Sequence, residues 1–402
     1  FFFKQKTAYE IKECDWSSDV CSSDLNIHGN RINNDILKPR GSGYVGTHGN
    51  DFVFANDRWF RAINLKTGPD GAVYIIDWYD KNACHRRQPE SWDRTNGRVY
   101  RVSYGDRKPV KVDLSKLSDD ELIALHTHKN EWQVRMARKV LQERAAKLKD
   151  EDVVNLWKRL VAIVFADKDK PFDAEHTRQT LRYMWTMHCI SADRDLPVIS
   201  STFVFDAWYG MASVPVRTWA VQLAAENTTT LRLPTAFTHF QQLVANEPAP
   251  QVRLAWASVM QRYSIEGRGL IAEALLNRAE DADDHNIPLM IWYGIEPLVG
   301  ADPNVGLRLA SNSKIPKVTQ LIYRRLASDD AGRAALLEAV AKTTDDATQR
   351  QMLDEVVASI SKQGQLKMPA SWPTAYEKLA KHADAGVRQK AQLDRKSTRL
   401  NS

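Results

Sequence analysis

The chain has 402 residues, is 43% apolar, carries a net charge of +6 and contains four cysteines. That length supports more than one core and that apolar share argues against disorder, while no run approaches the roughly 20 apolar residues that span a bilayer. The positive charge is spread without a basic run, which argues against a nucleic-acid partner; of the cysteines, Cys14 and Cys21 fall in the anomalous first 25 residues, and Cys84 and Cys189 alone are too few for a disulfide framework or a structural zinc site.

Residues 1–25 open on Phe1-Phe2-Phe3-Lys4 and run through Asp15-Trp16-Ser17-Ser18-Asp19-Val20-Cys21 with neither helical nor strand period. They lack the basic start, apolar centre and small-residue cleavage site of a signal peptide. The stretch resembles translated sequencing adapter of metagenomic origin, as does 394–402; a natural disordered tail is the other reading. Residues 1–25 are expected to be disordered, with both true termini outside this chain.

From residue 26 to about 108 the pattern is β. Candidate strands at 51–55, 61–66, 73–77 and 98–104 are separated by Gly, Asn and Asp. In the turn Thr67-Gly68-Pro69-Asp70-Gly71, the Asp-Gly pair is expected to supply positive φ angles for a tight hairpin. Short strands with no helix between them suit a propeller blade or a sandwich. Fewer than 80 residues cannot close a propeller, so a part of one is expected.

From Leu114 to about residue 393 the pattern is helical. Ser118-Asp119-Asp120-Glu121 is a capping box. Val153, Leu156, Trp157, Leu160, Val161 and Val164 form an apolar stripe at helical spacing. Two more stripes start at Val216 and Val252, and Pro215, Pro250, Pro288 and Pro316 each open a helical segment. A Val-Arg pair followed by a small residue recurs at Val134-Arg135, Val216-Arg217, Val252-Arg253 and Val387-Arg388, near multiples of the roughly 35–47-residue period of HEAT-like helix pairs. The arginines are expected to face solvent or bond the next turn. The fold class is thus mixed: a partial β-propeller over 26–108 and an all-α HEAT-like solenoid over 114–393, an irregular all-α domain being the alternative for the second part. Trp132, Trp157, Trp185, Trp219, Trp256 and Trp292 fall on apolar helix faces and read as core.

One segment is more specific. Gly68-Pro69-Asp70-Gly71-Ala72-Val73-Tyr74 resembles a blade hairpin of the six-bladed glucose/sorbosone dehydrogenases. With Asp77-Trp78-Tyr79-Asp80, Asn82-Ala83-Cys84-His85, Trp92-Asp93-Arg94-Thr95-Asn96-Gly97, Asn26-Ile27-His28-Gly29-Asn30, Gly41-Ser42-Gly43-Tyr44 and Asn56-Asp57-Arg58-Trp59-Phe60-Arg61, it resembles the end of the propeller in the PVC-type membrane-bound dehydrogenases. In that family HEAT repeats follow the propeller, and Asp283-Asp284-His285-Asn286-Ile287-Pro288-Leu289 is the best local match there.

The resemblance implies an exported, quinoprotein-like protein that oxidises a sugar or related alcohol. In full length it would bind pyrroloquinoline quinone (PQQ) and calcium and pass electrons to a c-type cytochrome domain. No Cys-x-x-Cys-His occurs here, so no covalent haem site is expected in this chain, and with most blades missing it is not expected to be catalytically competent alone. Arg58 and Arg61 would bind a quinone carboxylate, unless they are bonded to neighbouring loops. The 19-residue connection 78–96 is longer than a hairpin needs. Its Asp80, Asn82, His85 and Asp93, with Asp77 just before it, suit calcium ligation (Asp77, Asp80 and Asp93) or removal of a hydroxyl proton, with Asp77 and His28 as catalytic candidates. Aspartates beside turns also serve as caps. The function of another class is a non-catalytic scaffold that binds a partner protein through the helical repeat.

Overall fold

The computed structural model describes residues 20–26, 28–82, 95–105, 108–166, 171–192, 194, 196, 202–226, 234–363 and 372–398. It divides into two compact units, Phe1–Arg40 with Tyr44–Ile199, and Gly41–Gly43 with Ser200–Ser402. A sheet region precedes an all-helical part.

In the first unit β1 (Val20–Asn26) runs antiparallel to β2 (Arg31–Arg40), with β3 (Gly43–His48) next in order. β4 (Val53–Phe54) pairs with the start of β2 through Arg31 and Ile32. β1 corrects the expectation of disorder through residue 25. The cause lies in the backbone: β2 offers a row of N–H and C=O groups, and the turn through His28, Gly29 and Asn30 brings the preceding chain back onto it. Asn30 takes φ 55° there.

A second sheet has the order β5 (Ala62–Thr67), β6 (Val73–Asp77), β7 (Arg98–Val102), antiparallel throughout. Its hairpin differs from expectation. Gly71 alone takes positive φ, at 76°, and the Gly71 N–H bonds the Gly68 carbonyl at 3.0 Å across Pro69-Asp70. Asp70 is instead an acceptor, bonded by the Ala72 N–H, the Tyr74 hydroxyl and Arg101 Nε. Ile32, Phe60, Ala62 and Ile75 form the buried centre between the sheets, with Leu65, Tyr100 and Val102 packed against it. Strand alternation puts Ile76 and Val99 on the opposite face, where they are exposed together with Ile63, at a bulge, and Trp78.

Among the described residues this unit also contains the α-helices α1 (Asp119–Ala124), α2 (Glu131–Ala145), α3 (Asp150–Ala166) and α4 (Ala174–Ser191). The capping box forms as expected, with Ser118 Oγ accepting the Glu121 N–H and the Glu121 carboxylate accepting the Ser118 N–H. The stripe on α3 is buried except at Val161, which is half-buried. Asn130 Nδ2 donates to the Gly68 and Pro69 carbonyls and Gln133 Nε2 to the latter. These bonds explain why α1–α4 group with the sheets, although the composition changes near residue 110.

The second unit contains α5 (Thr202–Tyr209), α6 (Val214–Ala224), α7 (Pro234–Asn246), α8 (Pro250–Val259), α9 (Ile265–Leu276), α10 (Ile287–Ala301), α11 (Pro303–Asn312), α12 (Pro316–Ala327), α13 (Asp330–Lys342), α14 (Asp346–Gln363), α15 (Trp372–Leu379) and α16 (Ala385–Thr398). Helices α6, α8, α10, α12, α14 and α16 pack in succession as one row, and α7, α9, α11, α13 and α15 as another. This is solenoid-like packing. The Val-Arg pairs have a shared job within it. Val216, Val252 and Val387 are fully buried. Arg217 Nη1 donates to the carbonyls of Met211 and Ala212, Arg253 Nη1 to those of Glu247 and Pro248, and Arg388 Nη1 to those of His382 and Ala383. Each reaches back to the connection before its own helix. The free side of the guanidinium then pairs forward, Arg217 with Glu247 and Arg253 with the buried Asp281 at 2.6 Å. Arg135 in α2 makes no such clamp among the described bonds.

Candidate functional site

Strand register gathers the expected residues at one end of the second sheet. Ala62 lies opposite Asp77, and Asp77 opposite Arg98. Beyond the strand ends the two chain segments stay paired, with the Trp78 N–H on the Arg61 carbonyl at 3.0 Å and the Asp80 N–H on the Trp59 carbonyl at 2.9 Å.

Asp77 is the centre of this arrangement and only 1% exposed, because it shares the inward strand face with Ile75. Its Oδ1 accepts the N–H of Arg61 at 2.6 Å and of Tyr79 at 2.8 Å. Tyr79 stands at φ 53°. That left-handed backbone costs about 1–2 kcal/mol for a side chain of this kind, and the bond to Asp77 helps to hold it. Asp77 Oδ2 is buried with no hydrogen-bond partner among the described residues. A bare carboxylate oxygen of this kind is an acceptor for a hydroxyl, a water or a cation.

The neighbours are more fully engaged. Arg61 is buried, with Nη1 donating to the Phe60 carbonyl at 2.9 Å and Nη2 to the Lys81 carbonyl at 3.1 Å. It clamps the loop and does not present an open fork to a quinone carboxylate. Arg58 is exposed, and its carbonyl and that of Phe60 accept from Asn30 Nδ2. Asp80 is buried and its Oδ1 caps the Asn82 N–H. Asp93 and His85 lie outside the described residues. His28 is exposed in the β1–β2 turn, and no bond among the described residues joins it to Asp77. Nor do the described residues include three or more His, Cys, Asp or Glu side chains grouped to hold a metal ion.

Arg98 and Tyr100 read in the sequence as strand residues alone, yet they belong to the site. Arg98 Cζ lies 3.4 Å from the centre of the Tyr79 ring, and Arg98 Nη1 donates to the Tyr100 hydroxyl. The Trp59 ring lies 5.7 Å from that of Tyr79, tilted by 45°. The available signal was the aromatic pair between two acids in Asp77-Trp78-Tyr79-Asp80. The long connection gives no register, so the return of Arg98 to Asp77 was hidden.

Two other quoted motifs meet within the second unit. Asp284 accepts the Ser42 N–H at 2.7 Å and the Ser42 hydroxyl at 2.6 Å, and also caps the N–H groups of Asn286 and Ile287 at the start of α10. Burial acts to raise the Asp284 pKa, but the Ser42 hydroxyl and these N–H groups outweigh it and hold the carboxyl below its usual range. Ser42 is buried, with its hydroxyl hydrogen on the Asp284 carboxylate.

The sequence pattern of a domain of unknown function (DUF7133) matches residues 26–106, the stretch that carries this site. No curated protein matches the chain.

Proposed function

We propose that this chain is the C-terminal part of an exported, quinoprotein-like dehydrogenase that oxidises a sugar or related alcohol, and that it does not turn over substrate alone. Its two sheets are read as propeller blades and its helices as HEAT-like repeats. Asp77 carries the reading. One oxygen is pinned by two backbone N–H groups while the other is buried and unpartnered among the described residues, a geometry suited to taking a proton from a substrate hydroxyl. The blade reading is supported by the second sheet, which is apolar on its inward face and exposes Ile63, Ile76, Trp78 and Val99 on the other. Such a face calls for a cover.

PQQ, calcium and a c-type cytochrome domain belong to the proposal for the full-length protein. Arg61 does not fit as a quinone ligand, and Arg58 is the arginine of the expected pair left exposed. The test is dye reduction by the full-length protein with PQQ, calcium and a panel of sugars. Asp77→Asn should lower kcat by about 100-fold or more with quinone binding unchanged. Turnover that ignores the substitution would sink the role of Asp77, and a folded protein that binds no quinone would sink the dehydrogenase.

A scaffold is the second reading, favoured by the exposed Leu289 and Tyr293, one turn apart on α10. Capture of a partner by the wild type but not by Tyr293→Ala would support it.

A further inference from the structure

The short turn Leu125–Thr127 after α1 buries His126 completely. Nδ1 lies 3.1 Å from the carbonyl oxygens of Leu122 and Ile123, so it carries the hydrogen. Nε2 lies 2.6 Å from Thr186 Oγ1 on α4 and accepts the hydroxyl hydrogen in the neutral ring. Thr186 in turn accepts from Arg138 Nε on α2. The imidazole stacks on Tyr183, with ring centres 5.0 Å apart.

Two buried cations flank this ring. Arg138 from α2 and Arg182 from α4 are both buried, and Cys189 of α4 interacts with Arg138. Arg182 donates to the His126 carbonyl at 2.9 Å and to the exposed His128's carbonyl at 3.2 Å, and it pairs with Glu131 at the start of α2. Arg182 is thus paired with a carboxylate, and Arg138 brings a second buried guanidinium to the same Thr186 hydroxyl that meets the ring. Hydrogen bonds alone would tolerate a second proton on His126, because Thr186 can turn its hydroxyl to the Arg182 carbonyl at 2.9 Å. Charge opposes it: an imidazolium would be a third cation in a buried site.

We propose that the His126 joint is an acid-sensitive latch, whose protonation releases residues 114–127 from α2 and α4 while those helices remain folded. This segment is the smallest piece whose movement solvates the imidazole, and local opening costs less than unfolding the unit. The remaining ties are more exposed: Arg144 to Asp119 and to the Ser115 and Leu117 carbonyls, and Arg159 to Asp120. The same segment carries the capping Glu121, whose carboxyl is held below its ordinary range by the Ser118 N–H and hydroxyl. Burial first, and Arg182 second among the opposing causes, push the His126 pKa down from 6.5 to about 4. The open segment binds a proton at the ordinary value and the closed one does not, so opening gains as pH falls between those limits.

Hydrogen–deuterium exchange of the whole chain at pH 7 and pH 5, corrected for intrinsic rates, tests this. Protection over 118–127 should fall roughly 20–30-fold relative to α3 at the lower pH. His126→Gln should abolish that pH dependence, whatever it does to protection at pH 7. If this variant does not fold, exchange of the imidazole C2 hydrogen in the wild type reads the His126 pKa directly. A value near 6.5, or protection over 118–127 that follows α3, overturns the latch.

Discussion

Asp77 and Asp284 are both aspartates beside turns, yet they differ in what is left over after the backbone has been capped. Asp284 has both oxygens engaged, by Ser42, Asn286 and Ile287, whereas Asp77 keeps one without a partner among the described residues. The tightness around Asp284 is testable at Gly41. This glycine stands at φ +55°, and a Cβ there would lie 2.3 Å from Asp284 Oδ2. Gly41→Ala should destabilise the second unit by about 1–3 kcal/mol, read as a lower urea midpoint at unchanged slope. At this scale the sequence disclosed residue types at turns but not which atoms stay free. Arg61 was legible as a site residue, but whether its fork faced a ligand or the Phe60 and Lys81 carbonyls depended on a loop path that no residue pattern encodes. The left-handed Tyr79 carried no warning, since bulky residues seldom adopt that backbone.

Among the elements, helices were far easier to read than strands. The prolines opening α6, α8, α10 and α12, the capping box of α1 and the stripe of α3 all state local physics that tertiary structure left standing. β2 was missed because Asn33, Asn34, Asp35 and Pro39 interrupt it and only Ile32 is buried, so its pairing rests on backbone groups. The Val-Arg repeat was visible, but the reach of its arginine was not. Arg253 makes two carbonyl bonds and a paired contact with Asp281, both side chains being almost fully buried. Arg253→Ala should therefore cost about 3–5 kcal/mol, since Asp281 is left as an uncompensated buried charge. Thermal unfolding of the variant checks this, and Asp281→Asn in the same background should recover part of the loss.

For the whole molecule, the division into units was the least legible feature. It follows neither the change in composition nor the change in secondary structure, because Asn130 and Gln133 tie the β5–β6 hairpin to α2. Within the second unit each helix packs mainly on the next two, so stability is expected to add up from neighbouring terms. Ile322→Ala, at a fully buried position of α12, should cost about 2–5 kcal/mol. Hydrogen exchange should accelerate in α10, α11, α13 and α14 and leave α6 unchanged; a uniform acceleration would show one cooperative block instead.

The arginine clamps also act as rulers. Arg217, Arg253 and Arg388 each touch the carbonyls six and five residues earlier, so each measures the distance along the chain between a helix and the connection before it. A residue gained or lost inside those intervals moves both carbonyls out of register with the guanidinium. Natural length variation in this part of the protein should therefore collect in the connections that no arginine spans.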